Sequence, residues 1–194
     1  IGRAHATLRF PASFLFVAAA NPCPCGWAGS KLRECTCSAT AIERYRGRLS
    51  GPLLDRIDLH VHVPPVALAE LRGAAPGEPS AAVRDRVIAA RDRQRARLAP
   101  WGVATNAEMG PAATRATCAL SPAAEQLLAR LAAQRRSMSA RTVDRLIKVS
   151  RTIADLAGAD RIERPHLQEA AGYRAFDPEP VAPTVSAAGP ATTG

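Results

Sequence analysis

The apolar residues of the N-terminal part of the chain follow two patterns that are typical of β-strands. A continuous apolar run at residues 14–20 predicts a buried strand, and this strand ends at Asn21 because Pro22 cannot donate to a ladder. Residues 57–63 alternate strictly between aliphatic and polar side chains, which predicts a second strand. The residues ahead of the apolar run predict a hairpin or an edge strand.

The rest of the chain carries helix patterns and helix start signals. Serine residues precede four amphipathic or alanine-rich stretches, and Gly158 marks the end of one of them. The predicted helices run from Ser38 to about Leu49, from Ser80 to about Leu98, from Ser121-Pro122 through Leu131, from Ser139 to Gly158, and from Pro165 to about Tyr173.

These elements predict an α/β region that is followed by an all-helical region. Two or three strands are too few for a self-sufficient sheet, so we expect the α/β region to be the second half of a larger domain. The expected boundaries are an α/β core at residues 1–72, a Pro- and Gly-rich linker at 73–80, a helical domain at 81–174 and a disordered tail at 175–194.

The composition of the chain limits the classes of binding partner but does not identify one. The 194 residues carry a net charge of +9, and all the basic residues except Lys31 and Lys148 are arginine. This balance is compatible with nucleic acid or nucleotide phosphates, and equally with a base-composition bias of the genome. No apolar run is long enough to span a membrane and no signal peptide is visible, which predicts a cytoplasmic protein without a membrane partner.

Four of the five cysteines are grouped in a segment that we call the cysteine loop, residues 22–37. Its two Cys-x-Cys pairs are Cys23 with Cys25 and Cys35 with Cys37. Two close pairs supply the four thiolates of a structural zinc site, although pairs in such sites are usually spaced more widely, and four reduced thiols remain the alternative. The fifth, Cys118, is expected to be a buried apolar residue.

Other polar residues admit both a functional and a structural interpretation. His60 and His62 share one face of the predicted strand, but without an evident third ligand a surface pair is favoured over a metal site. Asn21 ends a buried strand, Arg56 precedes the next one, and Arg141 lies in the first turn of a helix, where a cation opposes the helix dipole. Each of these three could equally be an ordinary structural group.

Several motifs together resemble one known family. They are Asn21-Pro22-Cys23-Pro24-Cys25-Gly26, Cys35-x-Cys37-Ser38, residues 50–58, Ser139-Ala140-Arg141 and residues 151–156. In this combination the chain, from residue 1 to about 174, is similar to the YifB/ComM family of magnesium-chelatase-like AAA+ ATPases.

The resemblance implies a hexameric ring of identical subunits that hydrolyses ATP with Mg²⁺ at subunit interfaces. Asn21 matches the sensor-1 position, Arg56 the arginine finger that reaches into the neighbouring site, and Arg141 the sensor-2 position. An arginine supplied in trans is worth about 10³–10⁵ in the rate of phosphoryl transfer. Members of the ComM type resemble helicases that promote branch migration during natural transformation, so DNA is the expected partner.

The chain departs from the family pattern at the nucleotide cradle. No G-x-x-x-x-G-K-[ST] motif is present, and no apolar strand ends in paired acids for magnesium. We therefore expect this chain alone to be inactive, as a truncated or a degenerate member. Two further hypotheses are a zinc-stabilised nucleic-acid-binding module without catalysis and a magnesium-chelatase motor subunit that acts with a metal-inserting partner.

Overall fold

The computed structural model describes residues 2–3, 6–7, 14–66, 72–73, 77–134 and 138–173. The chain divides into two compact units, Ile1–Ser50 and Gly51–Gly194. The predicted tail at residues 175–194 and the linker residues 74–76 lie outside the described part.

The first unit contains a short hairpin, the cysteine loop and one helix. Strand β1 (Gly2–Arg3) pairs antiparallel with β2 (Ala6–Thr7), as the hairpin prediction required. Helix α1 (Ala39–Arg46) begins where predicted, because the Ser38 hydroxyl accepts the N–H of Ala41 at 3.3 Å. It ends before the predicted Leu49, since the backbone tightens into i→i+3 turns after Arg46.

The buried strand predicted at residues 14–20 is not formed. The segment has no regular secondary structure, and the side chains of Leu15 and Val17 are 89% and 81% exposed. A strand interior needs a neighbour that takes up its N–H and C=O groups, and no ladder within the described residues reaches this segment. The prediction of a buried strand from the apolar composition of this segment is therefore wrong for the described structure.

The strand predicted at residues 57–63 is also absent, for a reason that the structure shows directly. The N–H of His60 donates to the carbonyl of Tyr173 at 2.8 Å, so the middle of the segment is fastened to the end of a helix instead of a strand. The aliphatic side chains of Val61 and Val63 remain exposed. The α/β half of the predicted fold class thus stays a prediction, whereas the helical half is confirmed.

The regular elements among the described residues of the second unit are helices, beside one isolated bridge between Leu120 and Ile162. Its elements are α2 (Gly51–Leu54), α3 (Ser80–Leu98), α4 (Pro111–Thr117), α5 (Pro122–Gln134), α6 (Ala140–Leu156) and α7 (Arg164–Gly172), with 3₁₀ turns at Ala99–Trp101 and Asn106–Glu108. The bounds of α3, α5, α6 and α7 agree with the predicted helices, whereas α2 and α4 were not predicted. One cap differs: Pro79 is the N-cap of α3, and Ser80 is the first helical residue.

Helix α6 is the centre of this unit and packs against α3, α4 and α7. Ser139 caps it by accepting the N–H of Thr142 at 3.2 Å, and Gly158 stops it with a φ of +71°, as predicted. Its apolar stripe enters the core of the unit, which consists of Leu98, Met109, Ala113, Cys118, Ala124, Leu146, Ile162, Leu167 and Ala170. None of the described helices is both long and apolar enough to cross a bilayer.

Candidate metal centre and nucleotide-site residues

The cysteine loop gathers its four thiols into one cluster. The Sγ atoms of Cys23, Cys25, Cys35 and Cys37 all lie within 4.8 Å of one another. Cys23 and Cys25 are 3.4 Å apart, Cys23 and Cys35 3.7 Å, and Cys25 and Cys35 3.5 Å. The pairing of two Cys-x-Cys motifs that the spacing predicted is therefore present in the folded loop.

Tight turns between the two pairs bring the thiols together. The N–H of Gly26 donates to the carbonyl of Cys23 at 3.0 Å, and Gly26 has a φ of +83° that only glycine adopts without strain. A second turn places the N–H of Ser30 on the carbonyl of Trp27 at 3.0 Å. The N–H of Ala28 also donates to the Cys23 sulfur at 3.3 Å, which orients that thiol toward the others.

The donor set fits a tetrahedral zinc ion. Zinc–thiolate bonds of about 2.3 Å place tetrahedral sulfurs about 3.8 Å apart, close to the separations in this cluster. None of the four cysteines is in a disulfide. Cys23 is fully buried and the other three are half-buried, so four protein ligands would close the coordination sphere. A closed four-thiolate site is structural rather than catalytic.

The electrostatics of the cluster favour a bound cation. The backbone N–H groups of Trp27 and Thr36 lower the pKa of Cys25 to about 5. The backbone N–H of Cys25 lowers the pKa of Cys37, but burial and the adjacent thiols outweigh it and raise that pKa to about 12. Cys25 therefore loses its proton readily, whereas Cys37 resists deprotonation. A divalent cation removes this resistance because it neutralises the accumulated charge.

The remaining histidine and cysteine candidates do not form a second cluster among the described residues. Within the described ranges, the cysteine loop is where three or more potential ligands come together, and His60 and His62 are not part of such a group. Cys118 is buried in the helical core, as predicted, and burial raises the pKa of its thiol.

The three residues predicted to contact nucleotide are all exposed. Asn21 lies in the first unit, directly before the cysteine loop. Arg56 follows α2 in the second unit and donates from Nη1 to the carbonyl of Pro52 at 2.6 Å. Arg141 is the second residue of α6. The geometry leaves both guanidinium groups accessible to a charged ligand, and the convergence of the three residues on one nucleotide stays a prediction.

Arg145 connects the two regions that carry the predicted arginines. Its Nη1 donates to the carbonyl of Asp55 and lies 3.2 Å from the Asp58 carboxylate. Both acceptors flank Arg56, and Arg145 lies one helical turn after Arg141 on α6. Nothing in the sequence pattern indicated this contact.

A buried ionic network fixes the C-terminal half of α6, and the sequence did not reveal it. Asp155 accepts two bonds from Arg97 of α3, at 2.6 and 2.7 Å, and pairs with Arg151 at 3.0 Å. Asn106 donates to the same carboxylate at 2.9 Å. Burial lowers the pKa of Arg151 and the Asp155 charge opposes this shift. The only sequence signal was the i, i+4 spacing of Arg151 and Asp155, which is common on exposed helices as well.

Both parts of the chain match models of one protein family. Residues 1–71 match the model described as magnesium chelatase, subunit ChlI, and residues 77–174 match magnesium chelatase, subunit ChlI C-terminal. The chain belongs to the magnesium chelatase subunit ChlI family. The predicted family resemblance is thereby confirmed.

Curated relatives within this family include proteins of several bacteria. Competence protein ComM of Haemophilus influenzae is 41% identical over 178 residues, which cover 91% of this chain and 33% of that protein. YifB of Escherichia coli is 41% identical over 182 residues, covering 91% and 34%. An uncharacterized protein of Mycobacterium tuberculosis is 44% identical over 149 residues, covering 77% and 29%. The chain thus spans about a third of the length of these relatives.

Proposed function

We propose that this chain is the C-terminal portion of a AAA+ ATPase motor of the magnesium-chelatase-like type. In this proposal, identical subunits form a hexameric ring, and ATP hydrolysis between subunits drives DNA remodelling or branch migration. The match of both parts of the chain to the family supports it, because Asn21, Arg56 and Arg141 lie within the matched ranges.

The proposed roles follow from the chemistry of phosphoryl transfer. The reaction is accelerated mainly by positioning and by stabilising charge on the transferred phosphoryl group. In our proposal Asn21 orients the attacking water, Arg56 reaches the γ-phosphate of the neighbouring subunit, and Arg141 contacts the γ-phosphate from the helical unit. The cradle for ATP and Mg²⁺ would come from a segment outside these 194 residues, because the sequence carries no P-loop.

DNA as the substrate is supported by the relatives and by charge. One relative is named a competence protein, and the present chain carries a net charge of +9. A basic surface adds a favourable, salt-dependent free energy to binding of the phosphate backbone. In this proposal the zinc ion holds the cysteine loop in shape and takes no part in hydrolysis.

The finger assignment is tested by Arg56→Ala in a protein that joins this chain to its P-loop segment. We expect DNA-stimulated kcat to fall by about 10³–10⁵, since the variant removes the charge that stabilises the transition state. The matched control is Arg84→Ala, which removes an exposed arginine from α3 of the same unit. Thermal unfolding followed by circular dichroism should be the same in both variants.

Turnover like that of the wild type in Arg56→Ala would overturn the finger assignment. Absence of ATP hydrolysis in the joined wild-type protein would overturn the ATPase proposal, and steeply salt-dependent DNA binding by this chain without nucleotide would then favour the non-catalytic binding module. A purified complex with a metal-inserting subunit would favour the chelatase motor.

The zinc site is tested by metal content. We expect purified wild-type protein to hold one zinc ion per chain and Cys35→Ala to lose it, because a structural site needs four ligands. Cys118→Ala is the matched control and should retain the metal, since Cys118 lies in the helical core. Equal zinc content in the two variants would refute the assignment.

A further inference from the structure

The segment that carries the predicted finger, residues 55–58, contacts helix α6 through Arg145. We call it the finger segment. Its backbone continues from α2 through the bonds from Arg56 N–H to Leu53 and from Ile57 N–H to Leu54, at 2.9 and 3.0 Å. These bonds are local and leave the orientation of the segment relative to α6 undetermined. That orientation depends on contacts between the segment and the helices.

Arg145 supplies such a contact on α6. A single guanidinium nitrogen, Nη1, reaches two acceptors of the finger segment, the Asp55 carbonyl and the Asp58 carboxylate, one on either side of Arg56. The Arg145 side chain is 21% exposed and the Asp58 side chain 53%, so the ion pair is sheltered from water at Arg145 and open to it at Asp58. The Arg56 side chain donates to the Pro52 carbonyl within its own region.

The turn of α6 that carries Arg145 is held in the core and lies close to Arg141. The next residue, Leu146, is 1% exposed in the core, which fixes this turn of α6. Arg141 and Arg145 are four residues apart and therefore lie on the same side of the helix. A displacement of α6 near Arg141 would accordingly be transmitted through Arg145 to the finger segment.

We propose that Arg145 is a positioning residue that couples the nucleotide-sensing end of α6 to the arginine finger by holding residues 55–58. The proposal rests on the proposed ATPase function and adds to it a residue that touches neither nucleotide nor water in the reaction. In this arrangement, nucleotide bound in one site contacts Arg141. The resulting position of α6 then determines, through Arg145, how Arg56 is placed relative to the neighbouring site.

The contact itself is tested in the 194-residue chain by hydrogen exchange. In Arg145→Gln we expect the amides of residues 56 and 57 to exchange about tenfold faster, because the segment loses its attachment to α6. The unit should stay folded, since His60 remains bonded to Tyr173 and the core is untouched. Asp58→Asn should reproduce part of the effect, whereas the control Arg84→Gln should not change exchange in this segment.

The coupling is tested by kinetics in the protein that carries the P-loop segment. In Arg145→Gln we expect kcat to fall by about 10²-fold with the KM for ATP unchanged, because a misplaced finger affects the transition state and not ground-state binding. Arg145→Lys keeps the charge but offers a single ammonium group, and should recover part of the loss. Combined with Arg56→Ala, the Arg145 substitution should lower kcat no further.

The outcomes separate the two proposals. Loss of activity in Arg56→Ala with wild-type kinetics in Arg145→Gln would overturn the coupling and leave the ATPase function standing. An additive loss in the double variant, or a rise in KM alone, would also overturn it. Wild-type turnover in Arg56→Ala would overturn the finger assignment and the coupling with it, whereas absence of ATP hydrolysis in the wild-type protein would overturn the ATPase function.

Discussion

The Asp155 carboxylate shows how one residue holds the helical unit together. It accepts hydrogen bonds from Arg97, Arg151 and Asn106, which belong to three different elements. Asp155 and Arg151 are 2% and 1% exposed, so water reaches neither partner. Within a buried network, removing one charge leaves the other without compensation, and this costs more than the pair contributes.

Asp155→Asn is therefore expected to destabilise the helical unit by about 3–5 kcal/mol, because it leaves the Arg151 charge buried without a counter-ion. The measurement is urea unfolding followed by circular dichroism. Asp160→Asn is the matched control, since the Asp160 side chain is 99% exposed, and should change stability by no more than about 0.5 kcal/mol. Similar midpoints for the two variants would contradict the network's importance.

At the level of elements, helix boundaries are decided by residues adjacent to them. Ser139 accepts the N–H of Thr142 at the start of α6, and the glycine at position 158 ends it. The two predicted strands lack any such local determinant. A strand is completed by hydrogen bonds to another segment, and the described structure gives none to residues 14–20.

Capping predicts different effects for two serines at helix starts. Ser139→Ala should lower the free energy of unfolding by about 1 kcal/mol, because the N-terminal N–H groups of α6 lose their acceptor. Ser80→Ala at the start of α3 should have a much smaller effect, since Ser80 is already helical and Pro79 is the N-cap. Equal losses in the two variants, measured by urea unfolding, would mean that the observed caps do not set stability.

On the scale of the whole molecule, each compact unit has its own source of order. The first unit is built around the cysteine loop, with buried Cys23 among its thiols. The second is built around an aliphatic core between α3 and α7. Each unit also contains one tryptophan, so its response can be followed separately. Trp27 lies in the cysteine loop with Arg33 5.4 Å above its ring, and Trp101 lies in the helical unit.

If the proposed zinc ion is bound, a chelator is expected to affect the two tryptophans differently. Fluorescence of the Trp101→Phe variant, which reports on Trp27, should change, because the loop would lose the cation that the four thiolates are proposed to bind. Emission of the Trp27→Phe variant, and the thermal unfolding of the helices, should stay the same. A change confined to Trp101, or unfolding of the helices on chelation, would contradict this division.

The candidate site was partly predictable for the same reason as the helices. One residue separates Cys23 from Cys25, and one separates Cys35 from Cys37, so a single loop closure assembles the cluster. Arg56 and Arg141 were identified from their motifs, but their role depends on a ligand and on neighbours that the sequence pattern does not describe. Arg145 was found only through its contact with Asp55 and Asp58, which are far from it in the chain.

The sequence by itself determined helices α1, α3, α5, α6 and α7, the caps at Ser38 and Ser139, the grouping of four thiols and the family. All of these depend on interactions within a few residues or within one loop, so the pattern of neighbouring side chains is sufficient. Only the tertiary structure decided that residues 57–63 attach to Tyr173 instead of forming a strand, that Asp155 is the centre of a buried network, and that Arg145 contacts Asp55 and Asp58. These contacts join residues that are distant in sequence. They form, and contribute to stability, only when folding has brought those residues together.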